Sequence, residues 1–315
     1  MDNCPHCTCF APDTGCALGH MELTKCPEWK GGMPDVAMTN VEDDDILLPW
    51  TGRAMGLSDL SFVTGRAKPM IVSIAGPESA GKTTLLAAWY LLLGRGLLTG
   101  STCQFCGSFS LEGWEAVAAA LRWSPGQPPN FPPHTTSHSA RAPGLLHLAF
   151  RQEDDRLRDF LFADAPGEWF QRWSVDALDK EAEGACWIAK HADVLLLAAD
   201  RQALSGSRLG SARNAFQLLA KRVAAERRGR PVALVWTKAD IEISPEMESR
   251  IRQAVTSVMP DAAEFSVSVF AEEGGDVGLG FQKLFRWILD MRRSYVQLPP
   301  AAVSGHDPLF IYGRR

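Results

Sequence analysis

The sequence predicts an α/β fold: a mostly parallel sheet with helices on both faces, preceded by a small cysteine-rich module. Three observations predict it. Short, wholly apolar runs recur along the chain and read as buried strands. Segments with apolar residues at i, i+3 and i+4 alternate with them and read as helices. One glycine-punctuated loop joins the first strand directly to the first helix. Alternation of this kind builds a sheet covered on both faces.

The elements follow in chain order. Residues 70–75 are an apolar strand, 76–83 the loop, and the apolar run from Leu85 to Leu91 a helix. Residues 94–100 break that pattern. A helix is expected over 112–123, with Val117, Ala118 and Leu121 on one side. Residues 124–144 carry Pro125, Pro128, Pro129, Pro132 and Pro133 and read as a long loop. Long loops in compact domains are usually functional. Residues 145–150 and 157–163 are two strands around the polar turn Gln152 to Asp155, expected to form one antiparallel edge. Strands are then expected at 192–200, 231–236 and 263–271, and helices at 208–228 and 280–293. The resulting domain plan is a cysteine-rich module at 1–30, a linker at 31–67, a main domain at 68–293 with an insertion at 97–144, and a tail at 294–315.

Composition sets bounds. The chain has 315 residues and is 46% apolar, enough for one large domain with appendages. A net charge of −5 gives no electrostatic reason to expect nucleic acid. No apolar run reaches the length of a membrane span. No basic segment precedes an apolar core at the start, so no signal peptide and a cytoplasmic setting are expected. In a reducing compartment, eight cysteines favour metal over disulfides.

Five of those cysteines fall within the first 26 residues. Cys4 and Cys7 have the C-x-x-C spacing that grips Zn²⁺ from a tight turn. Cys26 is the third expected ligand, and Cys16 or His20 the fourth. So short a segment buries too little apolar surface to fold alone, so a structural zinc would supply the missing stability. A tail with free thiols is the alternative. Cys103 and Cys106 form a second C-x-x-C, readable as a further knuckle, as closing on leftover N-terminal cysteines, or as two ordinary buried thiols.

The loop Gly76-Pro-Glu-Ser-Ala-Gly-Lys-Thr83 fits G-x-x-x-x-G-K-[ST], the P-loop pattern, in its strand–loop–helix context. Backbone N–H groups through Glu78, Ser79, Ala80 and Gly81 are expected to wrap phosphates, aided by the helix N-terminus beyond Thr84. Lys82 would reach the terminal phosphates, and the Thr83 hydroxyl would ligate Mg²⁺. Asp164-Ala-Pro-Gly167 follows a strand. An aspartate there can hold Mg²⁺ through water, and the Gly167 N–H can meet a γ-phosphate. Thr237-Lys-Ala-Asp240 follows a later strand. Guanine presents two donors on one edge, N1–H and its amine, and the Asp240 carboxylate can accept both. Lys238 would lay its stem along the base.

With these motifs the chain resembles the P-loop GTPases of the translation-factor and Ras-like class, over roughly residues 68 to 293. The resemblance implies a Ras-like G domain that binds GTP and GDP. It implies that Ser266, Val267 and Ser268 form a diverged fifth motif, with the Val267 N–H on the guanine oxygen. It implies a switch threonine over Mg²⁺, Thr135 or Thr136. More narrowly, the cysteine-rich start, the Pro-Pro-His-Thr-Thr run and Asp-Ala-Pro-Gly-Glu-Trp-Phe resemble the bacterial double-GTPase family. That implies a second GTPase or another protein as partner in a multi-protein conflict or defence system.

Two departures bear on activity. Thr237 stands where Asn is commoner; its hydroxyl can still tie the P-loop. Glu168 stands where small GTPases carry a glutamine. A carboxylate can accept a proton from water but cannot donate as an amide does, and an exposed switch carboxylate with no catalytic part is the alternative reading; slow hydrolysis is expected. Arg141 and Arg172 flank the switches without forming a clear arginine finger. Two other readings compete: a GTP-gated scaffold with little turnover, and a P-loop ATPase or kinase.

Overall fold

The computed structural model describes residues 54–65, 67–98, 103–122, 130–132, 143–270 and 278–293. A short helix α1 (Leu60–Thr64) precedes strand β1 (Met70–Ala75) and helix α2 (Lys82–Gly94). Next come β2 (Cys103–Gly107), α3 (Leu111–Ala118), β3 (Gly144–Gln152) and β4 (Leu157–Asp164). Then α4 (Gly167–Val175), α5 (Glu183–His191), β5 (Val194–Asp200), α6 (Arg201–Ser205) and α7 (Leu209–Glu226) follow. The described part closes with β6 (Val232–Thr237), α8 (Pro245–Thr256), β7 (Ala263–Ser266) and α9 (Gly278–Asp290).

The seven strands form one sheet in the order β2-β3-β4-β1-β5-β6-β7. β4, β1, β5, β6 and β7 run parallel, and β2 and β3 are antiparallel to their neighbours. β1 shows why the sheet has two covered faces. Its residues alternate by period two. Met70, Val72 and Ile74 join one apolar cluster with Leu85, Trp89 and Phe285 from α2 and α9. Ile71 and Ala75 join the other, with Phe170, Ile188, Phe216 and Ile251 from α4, α5, α7 and α8. Trp89 lies at tilted angles to Phe162 and Phe285, with centroids 5.6 and 5.4 Å away, and its indole N–H donates to the Phe281 carbonyl at 3.2 Å.

The structure corrects several expectations. The 145–163 hairpin is not the sheet edge. β2, from the stretch read as an insertion, pairs outside β3 with a bulge at Cys106. Cys103 and Cys106 therefore lie on an extended edge strand, as free thiols rather than a zinc turn. His147 explains the join. Its ring, 1% exposed, meets Asp159 at 2.9 Å and accepts from the Phe109 N–H at 3.0 Å. Its carbonyl accepts the Trp114 indole N–H at 2.9 Å, so the segment leading into α3 and α3 itself are bonded to the sheet. The helix expected over 112–123 is α3 plus a single 3-10 turn, Ala119–Leu121. The last strand ends at Ser266, not residue 271, because the chain there turns under α9. A Cβ on Gly280 would stand 2.3 Å from the Ser266 carbonyl. Sequence reading passed over α4, α5, α6 and α8. The last had a visible signal, Ser244 before Pro245: the Ser244 hydroxyl accepts from the Met247 N–H at 3.2 Å and Pro245 opens the helix. The candidate zinc ligands Cys4, Cys7, Cys26 and Cys16 or His20 lie outside the described residues, as do Thr135, Thr136 and Arg141.

Candidate nucleotide-binding site

The parallel strands β1, β4, β5 and β6 end on one side of the sheet, where α/β folds place their ligands. A pocket of about 440 Å³ opens there. Ligand sites commonly span about 300–1,000 Å³. The loop after β1 forms part of its wall. Ser79 and Gly81 take left-handed φ of 60° and 77°. Left-handed residues in such a turn curl successive N–H groups around one centre. The amides of Ser79, Gly81 and Lys82 have no acceptor among the described residues, whereas the Ala80 N–H donates to the Pro77 carbonyl at 3.4 Å. Gly76 does not line the pocket; it lies behind, where a Cβ would be 3.0 Å from Ala198 Cβ.

Lys82 opens α2 and is 7% exposed. Its ammonium donates to the carbonyls of Gly76 at 3.2 Å and Pro77 at 2.8 Å. Burial lowers its pKa to about 8, against the opposing pull of Asp164, Glu168 and Glu78. The Thr83 hydroxyl donates to Asp164 Oδ1 at 3.2 Å, so β4 and α2 bring those two groups together across 81 residues of chain. Gly167 starts α4 hard against the loop: a Cβ there would stand 2.1 Å from the Glu78 nitrogen. Glu168 follows it and lines the pocket. Arg172, one turn on, is ion-paired to Glu181 at 2.6 Å and Asp179 at 3.6 Å, away from any finger role.

Thr237, Lys238 and Asp240 line the same pocket. The Thr237 hydroxyl donates to the Ala199 carbonyl at 3.4 Å rather than to the loop; a Cβ on Gly81 would stand 3.7 Å from Thr237 Cβ. The Lys238 ammonium is held at 2.8 Å by both Asp200 and Gln202. The fifth-motif assignment shifts. The Val267 N–H is spent on the Trp236 carbonyl at 2.8 Å, extending the β6–β7 ladder. Ser266 does not line the pocket. The Ser268 hydroxyl instead donates to the Asp240 carboxylate, and Ser268, Val269 and Phe270 line the wall. The Val269 N–H has no acceptor among the described residues. Phe131 and Phe270 meet edge to face, centroids 6.0 Å apart, and both line the pocket. Gln202, Phe131, Val269 and Phe270 are lining residues that sequence reading did not single out. The aromatics within the Pro-rich loop and after the last strand are the available signal.

A phosphate loop opening a helix, an Asp-x-x-Gly at the neighbouring strand end and a Thr-Lys-x-Asp turn on the same pocket define a P-loop GTPase. Residues 70–288 match the family model described as Double-GTPase 2, and the chain belongs to that family. It is a GTP-binding protein in that sense. No curated protein matches the chain. Among solved structures it is similar to Era, crystallised with MgGDPNP and nucleotides 1506–1542 of 16S ribosomal RNA. The identity is 16% and the TM-score 0.37; the match covers 73% of this chain and 59% of that one.

Proposed function

We propose that this chain is a GTP-dependent switch that binds Mg²⁺ with its nucleotide and hydrolyses GTP slowly to GDP and phosphate. The observation that carries the reading is one pocket lined both by a phosphate-wrapping loop and by a carboxylate, Asp240. The amides of Ser79, Gly81 and Lys82 and the Lys82 ammonium bind the phosphates. Asp240 accepts from guanine N1–H and its amine, and the Val269 N–H donates to the guanine oxygen.

The donor set suits Mg²⁺, which takes few protein oxygens and completes its shell with phosphates and water. The Thr83 hydroxyl would ligate it, with Asp164 behind a water, and the pair already meets at 3.2 Å. When bound, the ion neutralises charge on the β- and γ-oxygens. The Gly167 amide meets the γ-phosphate. Glu168 accepts a proton from the attacking water. The carboxylate cannot donate to that water, and Arg172 is engaged elsewhere, so turnover is slow. Thr135 or Thr136 closes over the γ-phosphate. The partner would be a second GTPase or another protein of a bacterial conflict system, as the resemblance of the cysteine-rich start and the Asp-Ala-Pro-Gly-Glu-Trp-Phe run implies.

Competition of GTP against ATP for the nucleotide-free protein tests base choice, and single-turnover phosphate release tests hydrolysis. GTP is expected to win, and Asp240→Asn to shift preference toward xanthine nucleotides. Equal competition by ATP overturns the reading. Tight GTP binding with no phosphate release above buffer favours a scaffold instead, for which Glu168 is the specific observation.

A further inference from the structure

The turn that carries Asp240 is held by three consecutive residues from a distant part of the chain. β5 ends at Asp200, directly beside Thr237 in the sheet register. Lys238 then takes a left-handed φ of 53°, disfavoured for a residue with a side chain. Its ammonium is 2.8 Å from Asp200 Oδ2 and 2.8 Å from Gln202 Oε1. Asp200 is 6% exposed, and its other oxygen accepts the Gln202 N–H at 2.9 Å, capping α6. Arg201 reaches the far end of the same turn. Its guanidinium lies 5.4 Å from the Trp236 ring centroid, donates to the Ile241 carbonyl at 3.4 Å and pairs with Glu248 at 3.5 Å. Asp240 sits between the two anchored ends, exposed, and within the pocket wall.

We propose that Asp200, with Gln202, is a positioning residue for purine recognition: it pins Lys238 so that the Asp240 carboxylate stays aimed at the base edge and uncompensated by a cation. This rests on the guanine reading above. A Lys238 released from Asp200 stands two residues from Asp240, where it can pair with the very carboxylate that must accept from the base. A carboxylate already fixed in place also loses less freedom when the nucleotide arrives. Neither Asp200 nor Gln202 is called on to touch a phosphate, so the effect falls on the base.

The ratio of GDP to IDP affinity reads the aim of Asp240, because guanine offers it two donors and hypoxanthine only one. Asp200→Asn keeps the size and the α6 cap and removes the charge. The expected result is that GDP affinity falls about tenfold more than IDP affinity, the scale of one charge-assisted hydrogen bond. Adding Gln202→Glu to that variant returns a carboxylate to Lys238 and should restore the ratio. Equal losses for GDP and IDP would mean general damage and overturn the proposal. Should Asp200→Asn not fold, the exposed Gln202→Ala variant is expected to narrow the ratio in the same direction; an unchanged ratio there overturns it equally. Asp240→Asn in the same titration separates the two levels. If it leaves guanine preference untouched, the base reading fails. If it abolishes the preference while Asp200→Asn leaves the ratio intact, the positioning role alone fails.

Discussion

Replacing Lys82 by methionine tests whether the pocket stores an electrostatic cost that nucleotide relieves. Lys82 is buried, and its pKa falls from 10.5 to about 8 in the folded chain. That depression is worth about 3 kcal/mol of folding free energy at about 1.4 kcal/mol per pH unit. Below pH 8 the ammonium is charged in both states, so the full cost is present. As pH rises from 8 toward 10.5 the folded chain has released its proton while the unfolded chain still holds one. Stability contributed by this site therefore rises with pH across that window. Urea denaturation of nucleotide-free wild type and Lys82→Met, at intervals from pH 7 to 10.5, isolates the effect. The wild type should gain about 3 kcal/mol relative to the variant over the series. With GDP bound, a phosphate faces the ammonium and the gain should vanish. Over the same window, GDP affinity of the wild type should fall by about tenfold per pH unit, since binding must then recover a proton. Parallel stability profiles for the two nucleotide-free proteins would refute the reasoning.

Three further outcomes follow from the same geometry. Gly167→Ala would drive a methyl into the backbone at Glu78, 2.1 Å away, so α4 must retreat from the loop; single-turnover hydrolysis should fall about 100-fold, as for a lost transition-state donor, with GDP binding within a few-fold of wild type. His147→Ala strips the buried Asp159 of its 2.9 Å partner and should cost about 3 kcal/mol; hydrogen exchange should show the loss concentrated in β2 and α3, and an unaltered melt would contradict it. Phe131→Ala and Phe270→Ala each remove one half of the edge-to-face pair at the base end; each should weaken GDP and GTP alike by about five- to tenfold in equilibrium titration.

Much of the sheet is legible in the sequence because its central strands are buried on both faces. β1 and β5 read as continuous apolar runs, and all of their residues are buried. Fold and phosphate loop follow from such local signals. The edges are not local. β2 is buried at neither face in its middle, and only its pairing with β3 makes it a strand, so Cys103 and Cys106 resemble a metal turn until their partner is known. In the fifth motif Val267 and Ser268 line the pocket, but the Val267 N–H is already bonded within the sheet, for a similar reason. Whether Val267 or Val269 has a free N–H depends on where the ladder to Trp236 stops, and no residue type announces that. Asp200 was visible as a strand-end acid, but its bond to Lys238 spans 38 positions. A loop motif can thus be read from its own residues, whereas what holds it in place is written elsewhere in the chain.

Trp169 follows the Gly167–Glu168 pair and packs against α5 with no clearance. A Cβ on Gly184 would fall 2.1 Å from its ring. α5 in turn is clasped at its C-terminal end by Arg230, which donates to the carbonyls of Ala189, at 2.7 Å, and Ala192. The start of α4 therefore has no slack on its inner side. A side chain at position 184 would have to displace the indole, and with it the start of α4. One tryptophan, seated where only glycine leaves room, thus ties the start of α4 to α5.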